Sequence, residues 1–181
     1  MTAGNSRELV LLLQEIERRS LEHAAGLRQE DDVTNVWEGV LFSVGGERFA
    51  TPLNEVKEIL NFPSVITSVP GARKWVRGVA NVRGNLLPIL DLQVFLGGKS
   101  IAVGRRTRVL VVDHDGLFAG LMVGELLGMK HFDVDSYQQN SDPKQAITKY
   151  TEGFFSLEGE QWPVFSMRAL VEDPAFQAAA A

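Results

Sequence analysis

The chain has 181 residues, a formal net charge of −5 and no cysteine. Nucleic-acid-binding proteins concentrate Lys and Arg on one surface to displace counterions, so this acidic balance argues against nucleic acid as a partner. The lack of cysteine excludes disulfides, thiolate metal ligands and cysteine nucleophiles.

The segment from Asn5 to Leu27 is predicted to form an amphipathic helix, followed by an acidic linker that ends at Asn35. Its apolar residues recur at helical spacing, at Leu9, Leu12, Leu13, Ile16, Ala24 and Leu27. Two roles stay open for this leucine stripe, packing on the parent domain or docking a separate partner. Charged residues flank the run Leu9 to Leu13 too closely for a signal peptide or membrane span, so we predict a cytoplasmic protein without membrane insertion.

Short β-strands are predicted from Val36 onward. A first hairpin pairs Val36 to Val44 with a strand around Arg48 to Thr51 through a Gly45-Gly46 turn, because glycines readily adopt the positive φ angles of tight turns. After it we expect a helical turn, two further strands and a second helical turn, at Leu53 to Val56, Lys57 to Phe62, Val65 to Val69 and Gly71 to Trp75.

A second hairpin is predicted at the centre of the chain. Two apolar runs, Val76 to Val82 and Leu86 to Leu90, flank the residues Arg83-Gly84-Asn85. A glycine beside Asn between short β-rich runs is a tight-turn signal. The hairpin therefore presents Arg83 to solvent.

The second hairpin is expected to continue into a short helix and then an irregular connection. Pro88 has no backbone N–H to donate, so we expect it at a sheet edge or strand end. Asp91 is expected to cap a helix that carries Leu92 to Leu96. The glycine-rich and polar segment Gly97 to Arg106 then forms the midpoint connection.

The second half of the chain repeats the first. A shift of 75 residues pairs Gly78 with Gly153, Gly84 with Gly159 and Pro88 with Pro163, and a shift of 69 pairs Leu41 to Val44 with Leu110 to Asp113. Many short strands in two equivalent sets predict an all-β fold of two small packed barrels with a pseudo-two-fold relation.

The two halves differ at the turn of the second hairpin. The position of Arg83 is taken by Glu158 in the second half, and that of Asn81 by Ser156. The fold requires the glycines and apolar positions of both copies but not the arginine. Arg83 is therefore predicted to be functional or to form an ion pair specific to its half.

No residue pattern predicts catalysis, a metal site or a cofactor. The histidines His23, His114 and His131 have no spacing typical of a metal site or catalytic triad. The sequence Asp113 to Gly116 is that of a hairpin turn. Residues Gly97 to Ser100 lack the earlier glycine of a nucleotide-binding loop. We therefore predict a non-enzymatic binding protein.

The sequence V-R-G-V-A-N-V-R-G-N-L-L-P-I-L-D-L, from Val76 to Leu92, together with P-L-N-E-V-K-E-I-L, from Pro52 to Leu60, resembles the CheW family of chemotaxis coupling proteins. The similarity spans Val36 to Phe176. Within that family, the N-terminal extension and the sequence Trp75-Val76-Arg77-Gly78 are most similar to the PilI-type adaptors of pilus chemosensory systems.

The resemblance implies two packed five-stranded SH3-like barrels and an adaptor role. Family adaptors bridge the cytoplasmic tip of a methyl-accepting chemoreceptor and the regulatory domain of a CheA-like histidine kinase, with the receptor tip in the groove between barrels. The family's coupling elements place partner-binding residues at Val56, Glu58, Ile59, Asn81, Arg83 and Gly84. We further expect Glu58 and Arg83 to form an ion pair at the edge of the receptor-binding surface.

The predicted domain organisation follows from the repeat and the resemblance. Residues 1–35 form the N-terminal helix and linker, 36–176 the CheW-like domain, and 177–181 a tail. The first barrel is expected at about 36–103 and the second at about 104–176. An alternative function stays open, a free-standing SH3-like module that binds a peptide or ligand without a kinase partner.

Overall fold

The computed structural model describes residues 36–139 and 149–178. The predicted N-terminal helix and its linker lie outside these residues. Within the described part of the chain, no helix is long and apolar enough to cross a membrane.

The described residues form eleven strands and three short helices. The strands are β1 (Val36–Val44), β2 (Glu47–Pro52), β3 (Glu58–Asn61), β4 (Val76–Val82), β5 (Asn85–Asp91), β6 (Arg108–His114), β7 (Leu117–Val123), β8 (Glu125–Asp133), β9 (Tyr137–Gln139), β10 (Thr151–Leu157) and β11 (Glu160–Phe165). The helices are α1 (Leu92–Phe95), α2 (Met167–Val171) and α3 (Pro174–Gln177), and 3₁₀ turns occur at Leu53–Glu55 and Val134–Ser136.

Most elements predicted in the first half are confirmed, but the segment between β3 and β4 is not a strand followed by a helical turn. Only one bridge forms there, between Thr67 and Val79. Pro63 and Pro70 bracket this segment, and neither can donate a ladder hydrogen bond. The chain therefore crosses beside β4 in an irregular path.

The strands form two curled sheets, each an SH3-like barrel, which confirms the predicted fold class. One sheet has six strands in the order β8-β1-β2-β11-β10-β9, and the other has five in the order β3-β6-β7-β5-β4. Each sheet contains one parallel pair, β2 with β11 and β5 with β7. The two barrels are thus equivalent, with β9 as an additional strand on the first.

The barrels exchange hairpins between the two halves of the sequence. The β1–β2 hairpin pairs with β8 and β11, whereas the β6–β7 hairpin pairs with β3 and β5. The boundary predicted at residues 103 and 104 therefore lies inside the five-stranded barrel, whose strands run from Glu58 to Val123. The two barrels therefore do not coincide with the two halves of the chain. The boundary was predicted only approximately, since equivalent hairpins present equivalent edges and strands can be exchanged between barrels.

The structure also corrects the register of the first part of the repeat from a shift of 69 to one of 70. Leu41 pairs with Ala50 in one barrel, and Val111 pairs with Gly120 in the other. The same shift relates the turn Gly45-Gly46 to Asp115-Gly116. A slip of one residue moves each side chain to the other face of its strand. Only the shift of 70 therefore aligns residues that point into one barrel with residues that point into the other.

Three hydrophobic clusters explain why β1 and β6 are apolar on both faces. One cluster fills the five-stranded barrel and includes Val109 and Val111, and another fills the six-stranded barrel and includes Leu41. The third and largest lies between the barrels and includes Phe42 and Leu110. Successive residues of β1 and β6 point alternately into a barrel and into the layer between barrels.

Pro88 lies inside a sheet rather than at an edge or strand end, contrary to the prediction. It stands opposite Val79 on β4, whose backbone N–H and C=O both bond to Thr67, at 2.8 and 2.9 Å. Val79 and Pro88 are therefore a non-hydrogen-bonded pair of the ladder. On its other side, the parallel ladder to β7 begins only at Ile89, so the missing N–H is not needed.

Capping side chains start the three helices. The Asp91 carboxylate accepts a hydrogen bond from the backbone N–H of Val94 at 3.2 Å, which confirms the predicted cap. The pseudo-equivalent Ser166 hydroxyl accepts from Ala169, and Asp173 accepts from Ala175. The halves therefore close in the same way, a hairpin followed by a capped short helix.

Candidate partner-binding surface

The β4–β5 turn holds Arg83 and Gly84 in a left-handed backbone conformation. Their φ angles are +52° and +87°, as the two central residues of a type I′ hairpin turn require. The Asn81 side-chain oxygen accepts a hydrogen bond from the Gly84 N–H at 2.9 Å and fixes the turn. The Arg83 side chain is 75% exposed.

Arg83 and Glu58 form the predicted ion pair. Their closest charged atoms, Arg83 Nη2 and Glu58 Oε1, are 2.7 Å apart. Glu58 lies on β3 and Arg83 follows β4, and these are the two outer strands of the five-stranded sheet. The pair thus bridges the two edges of the curled sheet at one end of the barrel.

The stability that this pair provides is small. The Glu58 side chain is 33% exposed and that of Arg83 far more. Exposed pairs contribute about 0.2–1 kcal/mol, since water screens the charges and both side chains lose rotamer freedom. The arrangement is therefore better suited to presenting an oriented guanidinium than to holding the fold.

The two apolar residues that were predicted to bind a partner pack against the hydrophobic cluster between the barrels. Val56 is only 9% exposed and packs in the cluster between the barrels. Ile59 is partly buried against the same cluster. Val56 consequently has almost no surface to offer a partner, and its packing instead holds β3 and thus Glu58 in place.

An exposed apolar surface lies beside the turn and was missed in the sequence. Leu86 stands opposite Asn81 and is 71% exposed, and Val65 is 75% exposed. Exposed apolar side chains are informative where they form a patch, because such patches mark interaction sites on soluble proteins. The available signal was β5 itself, in which Leu86 and Leu90 alternate with the buried Leu87 and Ile89, so that both faces are apolar.

This surface continues into a groove of about 740 Å³. The residues of its apolar wall are Val69, Pro70, Val76, Val79, Pro88, Leu90, Leu117, Ala119 and Phe176. Leu90 and Ala119 also belong to the cluster between the barrels. The groove therefore opens at the rim of the layer that joins the two barrels.

A second, polar cluster forms where the β6–β7 turn meets α2. His114, Asp115 and Glu172 bring one ligand atom each within 4.8 Å of one another. The Arg168 guanidinium donates to Glu172 at 2.9 Å, and this bond lowers the pKa of the Glu172 carboxyl. The sequence predicted the turn at Asp115 but gave no signal that Glu172 would reach it.

A partly buried acid beside the polar cluster connects the two halves. The Glu55 carboxylate accepts hydrogen bonds from the backbone N–H groups of Met167 and Arg168, at 2.7 and 3.2 Å. Burial raises the pKa of Glu55, and these two hydrogen bonds oppose that rise. Since both donors start α2, Glu55 acts as a cap supplied by the other half of the chain.

Sequence comparisons match most of this chain to one set of related proteins. A family model described as CheW-like domain matches residues 38–175. Protein PilI of Pseudomonas aeruginosa is 43% identical over 166 residues, which cover 91% of this chain and 92% of that protein. Chemotaxis protein CheW of Helicobacter pylori is 32% identical, covering 75% of this chain and 83% of that protein.

The fold is also similar to that of a solved structure. The crystal structure of scaffolding protein TtCheW from Thermoanaerobacter tengcongensis superposes with a TM-score of 0.67 at 22% identity, covering 77% of this chain and 94% of that chain. Identity this low supports likeness of fold alone.

Proposed function

The chain belongs to the CheW family of chemotaxis coupling proteins, and from this premise we propose that it is a non-enzymatic adaptor in a chemosensory signalling array. It couples the cytoplasmic tip of a methyl-accepting chemoreceptor to the regulatory domain of a CheA-like histidine kinase. The similarity to Protein PilI supports a system that controls type IV pili and twitching motility. The adaptor works in the cytoplasm and is recruited to membrane-associated receptors.

The observation that carries this proposal is the ion pair between Glu58 and Arg83 at 2.7 Å. The two residues belong to separate sequence elements that resemble the family's coupling motif. The fold brings them together at one exposed end of a barrel. The exposed side chain of Leu86 lies beside them, so charge and apolar surface are combined as in many protein interfaces.

The apolar groove supports the choice of partners. A receptor tip is a helical hairpin, and an apolar groove at the rim between two barrels can receive the apolar face of a helix. The kinase regulatory domain shares the double-barrel fold by family resemblance, so its contact surface is a barrel rather than a helix. The edge strand β3 is proposed for that contact, and the Arg83 turn, with its ion pair to Glu58, is proposed to lie at the edge of the receptor contact.

The test is a binding assay with the three purified components, this chain, a receptor cytoplasmic fragment and a CheA-like kinase from the same organism. Arg83→Ala is expected to weaken assembly at least roughly tenfold, which corresponds to about 1.4 kcal/mol, because an Arg anchor often dominates an interface. The melting temperature should change little, since the exposed pair contributes about 0.2–1 kcal/mol.

Glu158→Ala is the matched control, because Glu158 occupies the equivalent turn of the other barrel and is also exposed and ion-paired. It should leave assembly unchanged. Normal assembly with Arg83→Ala would contradict the proposed role of the turn. If neither kinase nor receptor binds the unmodified chain, the free-standing binding module becomes the better interpretation.

A further inference from the structure

Positive charge is concentrated in one part of this acidic chain. Between Ile59 and Val112 the sequence has eight Lys and Arg residues and one acid, a formal charge of +7. The remaining residues contain ten Lys and Arg and 22 acids, a formal charge of −12. The surface is therefore polarised even though the chain as a whole is acidic.

The fold gathers most of these cations at one end of the five-stranded barrel. The end of β3 pairs with the start of β6 through Asn61 and Arg108, and the end of β5 pairs with the start of β4. These termini, and the loops that lead into them, lie at the barrel end opposite the Arg83 turn. We call this surface the basic end and define it as Arg73, Lys74, Arg77, Lys99, Arg105 and Arg108.

The charges of the basic end are exposed and lack acidic partners. Five of the six residues are exposed, and Arg108 is partly buried. Among the described residues none of the six forms an ion pair, whereas the neighbouring Arg106 pairs with Glu125 at 3.3 Å. Within the described part of the chain, the positive charge of the basic end thus has no paired acid.

One acid at this end of the barrel is removed from the surface by burial. Asp91 is fully buried, and its carboxylate accepts hydrogen bonds from the Ser100 hydroxyl at 2.8 Å and the Ile101 N–H at 3.1 Å. Ser100 in turn accepts a hydrogen bond from the Arg77 guanidinium at 3.1 Å. The buried carboxylate therefore fixes the loop that carries Lys99 beside Arg77.

Two positions at the equivalent end of the six-stranded barrel have the opposite charge, although Lys74 corresponds to another cation, Lys149. The shift of 75 residues relates Arg77 to Glu152, and the shift of 70 relates Arg108 to Glu38. Both glutamates are exposed. Since the same fold accepts acids at these positions, its stability does not require cations there, and a ligand remains as the reason for the basic end.

We propose that the basic end of the five-stranded barrel binds a short acidic polypeptide segment of a partner protein. The six cations of the basic end attract carboxylates and steer their approach. The formal charge of −12 on the rest of the chain repels an extended polyanion. A short acidic segment avoids that repulsion, whereas long nucleic acid or a continuous anionic membrane surface does not.

The test measures fluorescence anisotropy of a short fluorescein-labelled peptide of alternating Glu and Ser, added to the full chain at low and at physiological ionic strength. The same peptide with Gln in place of each Glu is the uncharged control. The triple variant Arg73→Gln, Lys99→Gln, Arg105→Gln is expected to bind the acidic peptide roughly tenfold or more weakly. All three side chains are exposed, so the melting temperature should stay near that of the unmodified chain.

A matched triple variant removes the same net charge elsewhere, at Arg48→Gln, Lys130→Gln and Arg168→Gln. It should retain binding within about threefold, which is at most about half of the 1.4 kcal/mol that a tenfold loss represents. Equal loss in both triple variants would show attraction by net charge alone and overturn the site. Equal binding of the Gln peptide would overturn the acidic chemistry. Tighter binding of duplex DNA or of anionic vesicles than of the acidic peptide would overturn the choice of a polypeptide partner.

Discussion

The two equivalent hairpin turns of the molecule share a backbone and differ in charge. Arg83-Gly84 and Glu158-Gly159 have φ angles of +52° and +87°, and of +52° and +81°. Arg83 pairs with Glu58 on one barrel at 2.7 Å, and Glu158 pairs with Lys130 on the other at 3.7 Å. Each barrel thus has an ion pair from its turn to an outer strand, with the signs of charge exchanged.

This reversal of charge shows which features of the turn the fold requires and which can vary. The turn needs a residue that tolerates positive φ followed by glycine, because both central positions of a type I′ turn are left-handed. Either sign of charge satisfies that need when the outer strand supplies its opposite. The sign at Arg83 is therefore available for recognition, and comparing the halves experimentally can isolate it.

Separating the halves should have the largest effect. Met1 to Gly98 and Lys99 to Ala181, expressed alone, are each expected to show no cooperative melting. Cutting there removes β6 and β7 from the five-stranded barrel and β1 and β2 from the six-stranded one. Domains of about 70 residues are also marginal even when complete. Circular dichroism melts of both fragments test this, and two independent cooperative transitions would contradict the exchange of hairpins.

A smaller and asymmetric effect is expected at the equivalent helix caps Asp91 and Ser166. Asp91→Ala should lower the free energy of unfolding by about 2–4 kcal/mol, because it leaves the buried Ile101 N–H and the part-buried Ser100 hydroxyl without their acceptor as well as removing a cap. Ser166→Ala removes one cap bond and should cost about 1 kcal/mol. Urea denaturation of both variants measures the difference. Equal losses would mean that the Asp91 network contributes no more than an ordinary cap.

The local elements could be predicted from sequence because their signals are local. The hairpin at Arg83-Gly84 and the cap at Asp91 depend on a few adjacent residues, and both were confirmed. The ion pair between Glu58 and Arg83 was also predicted, from the difference between the two halves together with the family resemblance. The charged part of the candidate site could thus be predicted from the sequence.

The pairing of hairpins between barrels could not be predicted in the same way. Equivalent strands offer equivalent edges, so alternation of apolar residues does not decide which half supplies the partner. The register of the repeat was wrong by one residue because β1 and β6 are buried on both faces, and strands of this kind carry no alternating pattern to fix their phase. The apolar face of Leu86 was missed for the same reason.

The smallest effect on stability is expected when the two charges of the Glu58–Arg83 ion pair are exchanged. The double variant Glu58→Arg with Arg83→Glu reproduces the polarity of the Lys130–Glu158 pair on the five-stranded barrel. Its free energy of unfolding should lie within about 1 kcal/mol of the unmodified chain, because an exposed pair contributes only about 0.2–1 kcal/mol in either orientation. The single variant Arg83→Glu places two carboxylates together and should be the less stable of the two. Urea denaturation ranks the variants, and the three-component assembly assay is run on the same preparations. Restored stability without restored assembly would assign the sign of the charge to recognition. Full assembly by the double variant would instead show that partners require only a closed barrel edge, with either sign at the turn.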